Sequence, residues 1–186
     1  MRCDWAKNNP LLQKYHDEEW GVPVHDDRLL FEHLSLDVFQ AGLSWLTILN
    51  KRENFRNAFD NFEISKVSLY DKNKVEELIN NPGIIRNRMK VEATIENANC
   101  VLSLQKEYGS FDRFIWQFTK GTSKHNSFEK QSELPAVSAE SDAMSRELRR
   151  LGFKFLGSTI CYAFMQATGM INDHITSCFR YSAIKK

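Results

Sequence analysis

Lys74–Cys100, KVEELINNPGIIRNRMKVEATIENANC, reads as a helix, a tight turn and a second helix. Val75, Leu78 and Ile79 recur at helical spacing, Asn80, Asn81, Pro82 and Gly83 interrupt them, and a new periodic run begins near Ile84. The second helix is expected to open with Arg86, Arg88 and Lys90. Its free backbone N–H groups and positive dipole end then share one corner with three cations, a setting that suits a phosphate. The amides of Gly83, Ile84, Ile85 and Arg86 are the expected donors, with Gly83 turning the backbone at positive φ and leaving no Cβ in an anion's way. An ordinary pair of antiparallel helices with a solvated basic edge fits the same residues.

Outward from that stretch, 186 residues suffice for one core of ordinary size, or for two small lobes sharing a cleft, and residues 1–186 read as one domain. Thirteen Phe, five Tyr and four Trp set against only eight Gly and four Pro make long helices easy to write and strands hard, so an all-α fold is expected. A net charge of +1 argues against a histone-like or tail-driven nucleic-acid binder, so any DNA contact must be local. Cys3, Cys100, Cys161 and Cys178 are scattered with no secretory leader, which points to a reducing cytoplasm. No apolar run approaches the roughly 20 residues a membrane span needs.

Cys3, Trp5, Tyr15, His16 and Trp20 crowd the first twenty residues, and something should tie this terminus down. Between Asp26 and Arg52 the chain is too apolar for one amphipathic face, with Asp26 or Asp27 as the cap and a break at Gly42. Asp37, between Leu36 and Val38, must be paired, hydrated or used if ionised; a capping or solvent-facing role is the plain alternative. A short helix is expected over 65–69, Ser110 should cap the helix after Gly109, Asp112 should be structural, and 121–137 reads as the longest loop. Ser141 is expected to cap the next helix, whose Arg146, Arg149 and Arg150 make a second cationic surface, and Thr159 to start the uncharged one after it. His174 and Cys178, four apart, would share a helix face as two metal ligands, and Cys3 with His16 would complete a Cys2His2 set; an apolar Cys3 and a surface His16 are the alternative.

CDWAKNNPLLQKYHDEEWGVPVHD, QAGLSWLTILNKRENFRNAF, GIIRNRMKVEATIENA and LRRLGFKFLGSTICYAFMQATGMINDH, in that order, resemble the signature blocks of the 3-methyladenine DNA glycosylase I family along nearly the whole chain. The resemblance implies an all-α, two-lobed fold of the helix-hairpin-helix DNA glycosylase type. It implies a structural zinc ion joining the two ends through Cys3, His16, His174 and Cys178. It places the base pocket at Asp37, Tyr15 and Trp45, with Trp5 and Trp20 as further walls, and Asp37 as the catalytic carboxylate. The expected partner is alkylated double-stranded DNA, gripped by the hairpin with Leu43 as a wedge. The expected product is 3-methyladenine, released by a monomeric, monofunctional enzyme without lyase activity. Two departures stand out: the family pattern carries Glu then Gly where this chain has Asp37 and Val38, and an aromatic residue at Leu12. The competing expectation is a DNA-binding homologue that these three residues have deprived of its alkylpurine specificity.

Overall fold

In the computed structural model, which describes residues 1–185, most helix starts follow from side chains that accept the first free N–H groups. Asn9 accepts from Leu11 and Leu12 and opens α1 (Pro10–Glu18), with Pro10 at a position that has no use for an N–H. Asp26 caps α2 (Asp27–Gln40), while Asp27 accepts from the backbone of Phe111 and Asp112 and so caps α7 (Phe111–Trp116) together with Ser110. Ser44 opens α3 (Trp45–Ala58) and Asp71 opens α5 (Lys72–Asn80); Asn87 opens α6 (Arg88–Tyr108), which ends at left-handed Gly109. The expected short helix is α4 (Ile64–Val67). Asp112 meets His25 at 2.8 Å on the surface.

Two helix starts differ from expectation. α8 (Ala139–Arg150) begins at Ser138 because Ser138 and Ser141 cap one another, each side chain accepting from the other's backbone N–H at 3.2 and 2.8 Å. α9 (Ser158–Ala167) starts from Gly157. The last helix, α10 (Phe179–Ile184), follows Cys178. A parallel ladder of two-residue strands, β1 (Lys124–His125) and β2 (Ile171–Asn172), ties the long loop to the C-terminal segment; strands this short carry no readable period.

Every residue from Leu30 to Phe39 is buried, so α2 runs through the main core among Phe55, Phe59, Phe62, Val91, Phe114 and Phe164. Each such ring contributes about 1.5–3 kcal/mol of burial. Glu32, also buried on α2, is met by Arg28, Arg52 and Arg56, which locks α3 to α2. A second, smaller apolar cluster holds Cys3, Tyr15, Trp20, Ile175 and Cys178, from the two ends of the chain, with Leu49 of α3. Trp45 packs against both clusters and marks the seam between them.

Candidate active site and metal cluster

At that seam lies a pocket of about 310 Å³ lined by Trp5, Tyr15, Trp20, Asp37, Gln40, Trp45, Gln131, Leu134, Ala163, Gln166 and Ala167. The five residues that the family resemblance assigns to a base pocket are thus brought together. Trp5 meets Trp20 edge-on with centroids 5.2 Å apart, and Tyr15 is tilted against Trp45 at 5.3 Å. Asp37 is 2% exposed, and its Oδ2 has no hydrogen-bond partner among the described residues; neither has Trp45 Nε1 or Gln131 Oε1. Burial holds the Asp37 carboxyl well above the usual carboxylate range, and burial, then Asp37, raises the Tyr15 phenol. Buried polar atoms left unpaired each cost on the order of 1–3 kcal/mol, so three on one pocket mark a surface built for a polar guest.

Gln131 and Leu134 were missed because the loop that carries them has no periodicity, and Gln166 and Ala163 because α9 reads as plain core. Neither departure from the family pattern closes the cavity. Val38 is fully buried in the main core, facing away from the lining, and Leu12 packs against the smaller cluster outside it.

Against the back of the aromatic wall sits a cluster of Cys3, His16 and Cys178, whose ligand atoms lie within 4.8 Å of one another. These three could hold a metal ion. The His16 ring is 4.8 Å from that of His174, centroid to centroid. His16 Nδ1 meets Asp17 Oδ1 at 2.8 Å and His174 Nδ1 meets the side-chain Oδ1 of Asn172 at 3.0 Å, so a neutral ring at either position would carry its proton on Nδ1 and its lone pair on Nε2. His174 Nε2 is buried without a partner among the described residues, and burial lowers its pKa to about 4, keeping the ring neutral as a ligand must be. Cys178 is drawn toward thiolate chiefly by the Cys3 side chain, then by His16, whereas the Cys3 thiol is held up. The donor chemistry fits a metal of the zinc type. The expected shared helix face is wrong: residues 173–178 are not helical, because Asn172 Oδ1 accepts from the His174 N–H and turns the chain locally.

The hairpin requires three corrections. Lys90 is 7% exposed and donates to the Phe39 and Ala41 carbonyls at 2.9 and 2.7 Å, so it caps the end of α2 and does not face a phosphate. Gly83 does not adopt positive φ; it is needed for space, since a Cβ would lie 2.9 Å from Asn81 Oδ1 and 3.1 Å from Asn54 Cβ. The N–H groups of Gly83 and Ile84 are taken by Asn81, which leaves those of Ile85 and Arg86 without an internal acceptor among the described residues. Arg86 is exposed with no carboxylate partner among them, while Arg88 pairs with Glu76 at 2.6 Å. Lys51 reaches over to the Pro82 and Gly83 carbonyls and steadies the turn. At the α2–α3 bend, Gly42 has φ of 82° and Leu43 stands 41% exposed at the apex.

Residues 5–181 match the family model described as methyladenine glycosylase. The chain is 44% identical over 184 residues to DNA-3-methyladenine glycosylase 1 of Escherichia coli K12, covering 99% of this chain and 98% of that protein. A crystal structure of 3-methyladenine DNA glycosylase I superposes with a TM-score of 0.94 at 46% identity, over 96% of this chain and 98% of the other. A tyrosine-to-phenylalanine variant of such an enzyme, solved in complex with 3-methyladenine, gives a TM-score of 0.94 at 34% identity over 97% of both chains. No helix among the described residues is long and apolar enough to cross a membrane.

Proposed function

This chain belongs to the methyladenine glycosylase family, and from that premise we propose that it excises 3-methyladenine from alkylated double-stranded DNA by hydrolysing the N-glycosidic bond. The observation that carries the reading is a buried carboxyl, Asp37, left unpaired on a pocket walled by Trp5, Tyr15, Trp20 and Trp45.

Methylation at N3 puts a positive charge on the adenine and weakens its bond to the sugar, so capture matters more than strong acid catalysis. The base leaves the stack, which is cheapest for a damaged nucleotide, and enters the pocket. Indole and phenol faces favour the cation over neutral adenine. Burial favours the neutral form of Asp37 while the pocket is empty; the cationic base stabilises the carboxylate, which then accepts from the base edge. Water then takes the sugar carbon as the bond breaks through an oxocarbenium-like state. No lysine lines the pocket among the described residues, which supports a monofunctional enzyme without lyase activity.

The helix pair α5–α6 serves as a helix-hairpin-helix grip, offering the Ile85 and Arg86 amides with the Arg86 and Arg88 side chains to one phosphate. Leu43 at the bend fills the gap the base leaves. Cys3, His16, His174 and Cys178 would hold a structural zinc, which supplies a covalent-strength tie between the two ends. Both thiols must stay reduced for this, in keeping with a cytoplasmic setting. Incubation of the purified protein with methylated duplex tests the reading: free 3-methyladenine is expected on chromatography, and its absence despite retained DNA affinity would leave only a DNA-binding homologue.

A further inference from the structure

Asp173 is 1% exposed and gathers three donors. The Tyr162 hydroxyl and Gln166 Nε2 reach its Oδ2 at 2.6 and 2.8 Å, and Asn126 Nδ2 reaches Oδ1 at 2.7 Å. Asp173 Oδ2 accepts from both the Tyr162 hydroxyl and Gln166, so Gln166 is set with its NH2 toward Asp173; the opposite amide orientation would set two acceptor oxygens against each other. Gln166 lines the pocket that Asp37 lines, and its Oε1 has no partner among the described residues. A guest therefore meets, besides Gln131 Oε1, one acceptor from α2 and one from α9.

Adenine and guanine differ at one place that such a pair can read: adenine carries an amino donor at C6 and guanine a carbonyl acceptor. We propose that Gln166, held in this orientation by Asp173, is a specificity-determining residue whose Oε1 accepts from the exocyclic amino group of 3-methyladenine and repels the O6 of 3-methylguanine. Asp173 is its positioning residue, since it touches no substrate. Tyr162 and Asn126 keep Asp173 committed, so the amide cannot turn over to welcome the wrong base. This inference rests on the proposed glycosylase activity.

Duplex DNA methylated to contain both bases, incubated with wild type, Gln166→Met and Asp173→Asn, tests it through the ratio of 3-methyladenine to 3-methylguanine released per unit time. Wild type is expected to favour the adenine base strongly. Gln166→Met, similar in size but without the amide, should lower the ratio about tenfold, the order expected for one hydrogen bond to substrate. Asp173→Asn lets Gln166 present its N–H groups and should lower the ratio further by admitting the guanine base. Equal losses for both bases, with the ratio unchanged in Gln166→Met, would mark the pair as structural and overturn the inference while the glycosylase reading stood. If Asp173→Asn fails to fold by near-UV circular dichroism, Gln166→Met alone decides. Release of neither base by wild type would remove the glycosylase reading and this inference together.

Discussion

Asp37 is buried on a helix that otherwise carries core, and it lacks the partner that a buried carboxylate requires. Because its folded-state pKa is raised, the native protein holds a proton there that the unfolded chain releases above the ordinary carboxylate range. Stability of the free protein must therefore fall as pH rises from that range through the raised value. Asp37→Asn stays neutral throughout. Thermal melts across a pH series should show the variant about 1–3 kcal/mol more stable near neutrality, a gain of a few degrees that shrinks toward pH 4. The same variant should release no 3-methyladenine, because the negative charge that the cationic base needs is gone. A melting gap constant with pH would mean that Asp37 finds a partner when the pocket is empty. The sequence exposed Asp37 as an anomaly, since a carboxylate between Leu36 and Val38 breaks an apolar run. It could not expose Gln131 or Gln166, whose relevance comes from chain segments distant in sequence meeting at one cavity.

Among elements, the hairpin and the α2–α3 bend were readable because breakers and caps act over a few residues: Asn81–Pro82–Gly83 between periodic runs, Gly42 before Ser44. Which cations face outward was not readable, because a long stem lets Lys90 reach carbonyls 49 and 51 positions away, at Ala41 and Phe39. Two substitutions separate the roles. Arg86→Ala should leave the stability within about 0.5 kcal/mol of wild type and reduce the slope of log affinity against log salt by about one unit. Lys90→Met should keep the full salt slope in whatever protein remains folded, but cost about 1–3 kcal/mol of stability as the end of α2 loses its cap. Titrations of duplex at several salt concentrations, beside denaturant melts, read both; a Lys90→Met protein with wild-type stability and a shallower slope would restore that residue to the DNA face. Leu43 carries a similar contrast at the bend. Leu43→Ala should barely alter stability, given its exposure, yet slow excision from duplex more than from single strands, where no gap needs filling.

At the scale of the whole molecule, the two ends of the chain together with Leu49 form the smaller cluster, and the proposed base pocket takes its aromatic wall from that cluster and its acidic side from the main core. The Cys/His set stands directly behind the wall: Trp5 lies 5.4 Å from the His16 ring and Trp20 lies 4.5 Å from that of His174. A metal held there would order the pocket through two indoles without touching a substrate. The main core, with its buried phenylalanines and the arginine-bound Glu32, does not depend on that tie. Metal removal should accordingly act in two stages. Freshly purified protein should contain one equivalent of zinc, and stripping it with a strong chelator should leave far-UV circular dichroism almost unchanged while the near-UV tryptophan signal collapses. Affinity for 3-methyladenine should fall at least about tenfold, and the first of two melting steps should move well below the second, because the clamp and the core no longer unfold together. Readdition of zinc should rejoin the steps and restore binding. The decisive contrast is between secondary structure and pocket: if chelation erased the helical signal as well, the clamp would support the entire fold, and if tryptophan signal and base affinity survived, the wall would stand without it.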